Sequence, residues 1–333
     1  MGKLAVMGAG AWGTTFAKVL ADGDYEVMLW ARREDVTDEI NKLHRNGDYL
    51  PGIKLPKNLT ADSNPESVLK DAEIVFLAVP SQSLRENLTA WGEFIPKDAI
   101  LVSLMKGVEK DTGLRMSEVI AQATGFPEEQ IAVVSGPNLS IEIAAGEPAA
   151  SVAACSSLSN ARKVASVSSN TYFTTFTNKD VVGTEFGGIL KNLIAVAIGI
   201  VNGVGYGQNT KASIITRGLA EISRFAVAYG AKEKTMVGLA GMGDLIATSE
   251  SPLSRNFKAG EMLGKGYTLR EVTKRLSQTA EGLASVAPIL SLAEAKGIKM
   301  PIVEQVKLVM DGEMSPRDIA PHLTHETDEP QGE

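Results

Sequence analysis

The opening of the chain, MGKLAVMGAGAWG, constrains the fold more than any other segment. A short apolar run over residues 3–8 leads into G-x-G-x-x-G, formed by Gly8, Gly10 and Gly13, and helical spacing follows over residues 12–20. In a strand–turn–helix unit the first glycine permits the tight turn, the second admits a diphosphate, and the third lets helix and strand pack closely. The helix N-terminus then faces the phosphates. This setting favours a dinucleotide-binding unit over a chance glycine turn.

Apolar runs alternate with helical segments through the first half of the chain. The strand-like runs are residues 26–32, 72–80, 99–106, 131–136, 149–155 and 171–177, and most are separated by helical segments at 62–71, 82–91, 113–123 and 158–168. Alternation of this kind predicts an α/β fold with a mostly parallel, doubly wound sheet of the Rossmann type. From about residue 180 onward the spacing is helical. We therefore expect a dinucleotide-binding domain over 1–184, an all-α substrate domain over 185–322, and an acidic tail over 323–333, whose composition is typical of disorder.

Composition excludes several classes of protein. The 333 residues suffice for two domains, and 33 basic against 40 acidic side chains give a net charge of −7, which argues against a general nucleic-acid binder. A single cysteine, Cys155, excludes a disulfide framework and favours a reducing cytoplasm. The apolar run at 193–201 is shorter than a bilayer requires, and glycines interrupt the N-terminal run. We expect an untargeted, soluble protein without a membrane span.

The end of the second strand carries arginines where an NAD-specific protein would carry an acid. The sequence there is LWARRED, with Arg32 and Arg33 at the position of a cofactor 2′-phosphate. The alternative is that Arg33 forms a solvated helix start with Glu34 or Asp35. The pattern predicts that NADP(H) is accepted.

Polar residues also follow the later strands. AVPS at 78–81, Lys106–Gly107 and SGPN at 135–138 each come directly after a predicted strand. Each alone is an ordinary loop. Because ligands bind at the carboxyl ends of strands in such sheets, their shared position indicates one ligand-binding edge.

Two polar clusters lie in the helical half. AGMGDLIATSESPLSRN places Thr248 one helical turn beyond Asp244 and then brings Arg255 beside Asn256, a pair suited to a phosphate. TAEGL places Glu281 before a helix. The alternatives are an N-cap for Asp244, a surface pair for Arg255 and Asn256, and a dipole-stabilised acid for Glu281.

One lysine interrupts the most apolar segment of the chain, EFGGILKNLIAVAIG at 185–199. A buried charge is costly unless it is paired, so Lys191 is either a functional group or a lysine that reaches solvent along an apolar surface. Gly187 and Gly188 favour the functional reading, because they would let the helix approach the cofactor or the sheet closely. Asn192 could fix the surroundings of the lysine or reach the substrate.

These motifs, in order, resemble those of the bacterial NAD(P)-dependent glycerol-3-phosphate dehydrogenases over nearly the whole chain. The matching segments are GAGAWGT, YLPGI, AVPS, LMKGVE, SGPN, LKN, ITRGLAEI, GMGDL, SRN and AEG. The resemblance implies NAD(P)H-dependent interconversion of dihydroxyacetone phosphate and sn-glycerol 3-phosphate by a dimer without a metal, supplying the phospholipid backbone. It implies a Rossmann domain followed by a helical domain.

The resemblance also implies roles for matching residues. Lys191 would be the catalytic acid and base, assisted by Lys106 and Asp244. Substrate would be bound by Lys106, Gly136, Asn138, Lys191, Asn192, Asp244, Thr248, Ser254, Arg255 and Asn256. The cofactor would contact Gly8, Gly10, Ala11, Trp12, Gly13, Arg32, Arg33, Tyr49, Pro80, Lys106, Ser140, Arg255, Thr279 and Glu281.

Three positions depart from the family pattern, and two other functions remain open. Asn138 stands where the family has Ser or Thr, Ala11 where it often has Ser, and Thr279 where it often has Val. One is a hydroxy-acid dehydrogenase on the same plan; the pair Arg255–Asn256 and the two lysines favour a phosphate ester over a carboxylate, but their spacing alone does not decide between them. A non-catalytic dinucleotide sensor would need neither Lys191 nor Arg255.

Overall fold

The chain divides into two compact units. The computed structural model describes residues 2–276 and 280–320, so Thr279 and the acidic tail expected at 323–333 lie outside the described residues. The boundary between the units falls between Glu185 and Phe186, and residues 110–113 belong with the second unit.

The first unit is built on one eight-stranded sheet. Its strands are β1 (Lys3–Met7), β2 (Val27–Trp30), β3 (Leu59–Asp62), β4 (Ala72–Leu77), β5 (Ile100–Ser103), β6 (Ile131–Ser135), β7 (Ala149–Cys155) and β8 (Phe173–Asn178). Their order is β3-β2-β1-β4-β5-β6-β7-β8, with β6 and β7 antiparallel and the other neighbours parallel. This order reverses direction between β1 and β4, which is where doubly wound sheets bind ligands.

Helices cover both faces of this sheet. They are α1 (Ala11–Asp22), α2 (Glu34–Leu43), α3 (Pro65–Leu69), α4 (Leu84–Trp91), α5 (Met116–Thr124), α6 (Ser140–Ala144) and α7 (Leu158–Val167). Two separate apolar cores result, one containing Phe16 and Phe76 and the other containing Met7 and Trp91. The central strands are apolar on both faces because each face is covered. The predicted α/β fold class is confirmed.

The segment between β2 and β4 differs from what the sequence predicted. Strand β3 was not predicted, and the helix expected over 62–71 begins only at Pro65. In β3 the polar residues Thr60 and Asp62 alternate with buried apolar residues, so this four-residue strand lacks the continuous apolar run that reveals the central strands. The Asn41 side chain bonds both the N–H and the C=O of Ala61, at 2.8 Å each, and so occupies the ladder positions of this strand.

The second unit is helical among its described residues. It contains α8 (Val181–Val204, from Phe186 onward), α9 (Gln208–Ala228), α10 (Glu233–Met236), α11 (Asp244–Glu250), α12 (Arg255–Gly264), α13 (Leu269–Arg275), α14 (Glu281–Ala295) and α15 (Pro301–Asp311). A π-helical turn, Leu239–Gly243, leads into α11. Helix α8 is long and apolar enough to cross a bilayer, but 83% of its most apolar window is buried within the protein. It has the character of a core helix.

Glycines bring the backbone of α8 against its neighbours. A Cβ on Gly260 of α12 would lie 2.1 Å from the carbonyl oxygen of Val196, and one on Gly187 would lie 2.4 Å from that of Ala240. Gly187 therefore allows close approach to the π-helical turn within the second unit. This contact brings the segment before Asp244 against the part of α8 that carries Lys191.

A buried carboxylate caps the last described α-helix. Glu221 of α9, which is 1% exposed, accepts hydrogen bonds from the N–H groups of Ile302 (2.9 Å) and Val303 (3.1 Å) at the start of α15. Burial is the largest influence on its pKa and raises it to about 7, while the two N–H donors and Arg224 oppose the rise and Glu304 adds to it. The first turn of α15 is thus held by a group that titrates near neutral pH.

We expect the free energy of unfolding to fall as the pH rises through the range set by Glu221. A carboxyl whose pKa is raised from 4.5 to about 7 binds its proton more tightly in the folded state, so its contribution is full below about 4.5 and is lost by about 7. The difference corresponds to about 3 kcal/mol. Glu221→Gln should therefore flatten the pH dependence measured by urea unfolding between these limits. Equal slopes for both proteins would contradict this.

Candidate active site

The glycine-rich turn lies at the point where the sheet order reverses. Gly8 has φ +126°, and a Cβ there would lie 2.6 Å from the carbonyl oxygen of Ala78, at the end of β4. A Cβ on Gly13 would lie 1.9 Å from the Gly8 carbonyl oxygen. A Cβ on Gly10 would meet nothing within 4 Å, so protein packing does not account for that glycine. Gly10 leaves open space at the N-terminus of α1, and this fits the diphosphate of a dinucleotide.

The glycine-rich turn is contacted by a buried side-chain amide, and the sequence did not predict this contact. Asn46, which is 0% exposed, donates from Nδ2 to the Ala9 carbonyl oxygen at 3.0 Å and to Thr14 Oγ1 at 2.9 Å. The backbone carbonyl oxygen of Asn46 accepts a hydrogen bond from the N–H of Leu50 at 2.8 Å. In the sequence, Asn46–Gly47 has the form of an ordinary turn. Only the tertiary fold brings it to the glycine-rich segment.

The remaining predicted cofactor residues differ in exposure. Arg32 and Arg33 are exposed after β2, and Arg33 forms ion pairs with Asp48 and with Asp35 (3.5 Å). The solvated ion pair that stood as the alternative for Arg33 is therefore present with Asp35. Tyr49 and Pro80 are exposed, and Ala11, Trp12 and Ser140 are partly buried.

Predicted substrate residues of the first unit gather after β5 and β6. Lys106 donates from Nζ to the carbonyl oxygen of Gly136 at 2.9 Å. Asn138 Nδ2 lies 3.4 Å from Ser151 Oγ, which itself donates to the Ser135 carbonyl oxygen at 2.9 Å. Lys106, Gly136 and Asn138 thus share one edge of the sheet, as their positions after the strands predicted. Ser151 had no signal in the sequence, because it lies within an apolar strand.

The lysine in the apolar helix belongs to a buried polar cluster of the second unit. Lys191 is 6% exposed, and its Nζ lies 2.9 Å from Asp244 Oδ1 and 2.5 Å from Thr248 Oγ1. Thr248 Oγ1 in turn lies 3.2 Å from Asp244 Oδ1. The reading of Lys191 as a lysine that reaches solvent is therefore wrong. The reading of Asp244 as an N-cap is also wrong, because Gly243 is the capping residue and the carboxylate faces the lysine.

Asn192 and Asn256 form a second buried link beside this cluster. Asn256 Nδ2 donates to Asn192 Oδ1 at 2.8 Å, and Asn256 Oδ1 accepts from the N–H of Gly282 at 3.0 Å. Asn192 Nδ2 donates to the Gly188 carbonyl oxygen at 3.3 Å. The link therefore joins α8, α12 and the first turn of α14, where Glu281 is partly buried.

The start of α12 combines a capped helix with a cation. Ser254 is its N-cap and accepts from the N–H of Phe257 at 3.2 Å, while Arg255 is exposed at the first helical position. A helix N-terminus and a guanidinium together attract an anion such as phosphate. A buried lysine held by a carboxylate can move a proton. Within residues 2–276 and 280–320, no group of three or more His, Cys, Asp or Glu side chains is arranged to hold a metal ion.

Comparison with known proteins gives consistent matches over both units. A family model described as the NAD-dependent glycerol-3-phosphate dehydrogenase N-terminus matches residues 3–161, and the corresponding C-terminus model matches residues 180–321. The glycerol-3-phosphate dehydrogenase [NAD(P)+] of Leifsonia xyli is 61% identical over 98% of this chain and 89% of its own length. That of Corynebacterium glutamicum strain R is 52% identical over 96% of both chains. The crystal structure of glycerol-3-phosphate dehydrogenase from Coxiella burnetii has a TM-score of 0.91 at 32% identity, covering 97% of this chain and 99% of that one.

Proposed function

The chain belongs to the NAD-dependent glycerol-3-phosphate dehydrogenase family, and from that premise we propose how its own residues serve the family's reaction. The reaction is the reversible NAD(P)H-dependent reduction of dihydroxyacetone phosphate to sn-glycerol 3-phosphate. The relatives of this chain from Leifsonia xyli and Corynebacterium glutamicum carry the name glycerol-3-phosphate dehydrogenase [NAD(P)+]. The observation that carries the proposal is the buried contact of Lys191 with Asp244 and Thr248 in a unit whose α12 starts with Ser254, Arg255 and Asn256.

Lys191 acts as the proton donor in the direction of ketone reduction. The cofactor supplies the hydride when it is bound. Lys191 gives a proton to the ketone oxygen of the substrate and takes it back in the reverse direction. Asp244 offsets the positive charge of the buried ammonium, and the Thr248 hydroxyl holds Nζ in place. Lys106 adds positive charge that stabilises the developing negative charge on oxygen.

The substrate phosphate is bound at the start of α12. Arg255 supplies a charged fork of donors, Ser254 and the helix N-terminus add polar groups, and Asn256 keeps one amide hydrogen beyond its bond to Asn192. Gly136 and Asn138 complete the set of substrate residues from the first unit. Asn192 belongs to the set through its bond to Asn256.

Arg255→Ala should raise KM for dihydroxyacetone phosphate about 10- to 100-fold and change kcat much less, because one charged hydrogen-bonding group contributes about 1.5–3 kcal/mol. Steady-state kinetics at saturating NADPH measure this. Lys258→Ala is the matched control, since it removes the same charge from an exposed position on the same helix. An unchanged KM for Arg255→Ala would show that Arg255 does not bind the phosphate.

The cofactor is held mainly by the first unit. Gly8, Gly10, Ala11, Trp12 and Gly13 would hold the diphosphate, and Arg32 and Arg33 would supply positive charge for the 2′-phosphate of NADP(H). Tyr49, Pro80, Lys106 and Ser140 complete the cofactor contacts of this unit, and Arg255, Thr279 and Glu281 supply those of the other. The cofactor is NADP(H), NAD(H) or both.

Arg32→Ala should raise KM for NADPH about tenfold and leave KM for NADH within about twofold, because only the former cofactor carries the 2′-phosphate. Arg33→Ala should have the smaller effect, since its guanidinium already pairs with Asp35 and Asp48. Initial rates with each cofactor at saturating substrate give both constants. Equal changes for NADPH and NADH would contradict the role of Arg32.

The proposal extends to organisation and context. Residues 1–184 form the dinucleotide-binding domain and residues 185–322 the substrate domain, followed by an acidic tail over 323–333. The enzyme works as a cytoplasmic homodimer and supplies the glycerol backbone of phospholipids. These statements rest on the family resemblance and on the sequence.

One assay tests the proposed function. Oxidation of NADPH and NADH is followed with dihydroxyacetone phosphate, with dihydroxyacetone and with a 2-keto acid. Of these three substrates, we expect rapid turnover only with dihydroxyacetone phosphate. Preference for the keto acid would indicate a hydroxy-acid dehydrogenase, and binding of the cofactor without any turnover would indicate a dinucleotide sensor.

A further inference from the structure

Asn46 is placed to control the conformation of the glycine-rich turn. It lies in the loop between α2 and β3, where the N–H of Leu55 bonds the carbonyl oxygen of His44 (2.8 Å) and the N–H of Leu50 bonds that of Asn46 itself. The Asn46 side chain is therefore fixed at its base. Its amide group is fully buried and points at two atoms of the segment that opens α1.

The chemistry of the contact fixes the orientation of the amide. A backbone carbonyl oxygen can only accept, so the group that meets Ala9 must be the NH₂ of Asn46. The same NH₂ uses its second hydrogen on Thr14 Oγ1. Within the described residues the other end of the amide, Oδ1, has no hydrogen-bond partner. The two donors are thus what Asn46 contributes at this position.

Holding the Ala9 carbonyl inward has a consequence for the next N–H group. In a trans peptide the C=O of Ala9 and the N–H of Gly10 point in opposite directions. The bond from Asn46 therefore turns the Gly10 N–H away from the protein interior. The side of Gly10 where a Cβ would project is open. We call the two hydrogen bonds from Asn46 to Ala9 and Thr14 the Asn46 clamp. Thr14 lies in the first turns of α1, and its N–H donates to the Gly10 carbonyl oxygen at 2.9 Å, so the Asn46 clamp also fixes the start of this helix.

We propose that Asn46 is a positioning residue for dinucleotide binding, which presets the Gly10 N–H and the N-terminus of α1 for the cofactor diphosphate. The inference rests on the proposed function only in requiring a dinucleotide. Asn46 contacts neither the substrate residues nor Lys191 in the contacts above. Its loss should therefore weaken cofactor binding and leave the chemical step intact.

Asn46→Asp tests the inference, with Asn58→Asp as the matched control. The carboxylate of Asn46→Asp would face the Ala9 carbonyl oxygen without a hydrogen to donate. Asn58 also uses its NH₂ on two carbonyl oxygens, those of Ala21 and Tyr25 at 2.8 Å each, but at the other end of α1. The same chemical change is thus made at both ends of one helix.

Binding of NADPH and NADH is measured by titration calorimetry without substrate. We expect Asn46→Asp to raise both dissociation constants about 10- to 100-fold, which corresponds to the loss of one or two hydrogen bonds. Asn58→Asp should stay within about twofold of the wild type. At saturating cofactor and substrate, kcat of Asn46→Asp should remain near that of the wild type. An unchanged dissociation constant, or an equal rise for both variants, would overturn the inference.

Asn46→Ala keeps the test decisive where the charged variant does not fold. It removes both donors without adding charge, and Thr14→Val removes one acceptor of the same clamp with little change of shape. The two side chains act through one contact. The double variant Asn46→Ala, Thr14→Val should therefore lose less cofactor-binding free energy than the sum of the losses in the two single variants. Fully additive changes in cofactor-binding free energy would overturn the proposed role of the contact between Asn46 and Thr14. Cofactor binding without turnover of dihydroxyacetone phosphate would refute the proposed function and leave this inference standing.

Discussion

Replacement of Lys191 by alanine should reduce kcat about 10²- to 10⁴-fold, the range that a positioned acid or base contributes. The lysine Nζ is 2.9 Å from Asp244 and 2.5 Å from Thr248 in a buried cluster, and no hydroxyl of the cluster can replace its charge. The Kd for NADPH should change little, because the glycine-rich turn belongs to the first unit. Single-turnover oxidation of NADPH with dihydroxyacetone phosphate measures the chemical step.

The loss must be separated from a loss of stability. Removing the lysine breaks its buried ion pair with Asp244, which is 1% exposed, and breaking a buried pair costs about 3–5 kcal/mol. Lys191→Ala combined with Asp244→Asn removes both charges, so it should regain much of that stability and remain inactive. Lys211→Ala is the control, since this lysine bonds a neutral acceptor, Asn202 Oδ1, at 2.6 Å. Turnover of Lys191→Ala near the wild-type rate would refute the proton-donor role.

The parts of this protein that were predictable from sequence are those that repeat a local pattern. The central strands are continuous apolar runs because both faces of the sheet are covered, and the glycine-rich turn has a fixed spacing. Lys191 was conspicuous because a charge inside a long apolar run demands a partner. In each case the neighbours along the chain carry the information.

The features that sequence did not reveal depend on residues far apart in the chain. Asn46 meets Ala9 across a separation of 37 residues, and Glu185 meets Ser117 across 68. Neither residue type nor local spacing marks these partners, because asparagine before glycine is common in turns and a glutamate early in a helix is favoured by the dipole. Asp244 illustrates the same limit, since its local setting suggested a cap and its actual partner lies on α8.

Glu185 supports the last prediction, which concerns stability. Its carboxylate, 1% exposed, accepts from Ser117 N (2.9 Å), from Ser117 Oγ (2.5 Å) and from Arg115 Nη1 (2.5 Å) within the first unit. Burial is the largest influence on the pKa of Glu185 and raises it, while Arg115 and Ser117 oppose the rise. Partners that sequence alone does not identify therefore offset part of the cost of burying this carboxyl group.

Glu185→Ala should lower the free energy of unfolding by about 3–5 kcal/mol, because it leaves the Arg115 guanidinium buried without its main counter-charge. Glu118→Ala is a comparison at the same arginine, since Glu118 pairs with it at 2.9 Å but is 41% exposed; it also accepts the Arg115 N–H at 2.8 Å as part of the cap of α5, so its loss should cost about 1–2 kcal/mol. Chemical unfolding followed by circular dichroism measures both. Similar losses for the two variants would mean that burial does not strengthen the Glu185 pair. A large difference would mean that the buried pair of Glu185 with Arg115 contributes far more to stability than the exposed pair of the same arginine with Glu118.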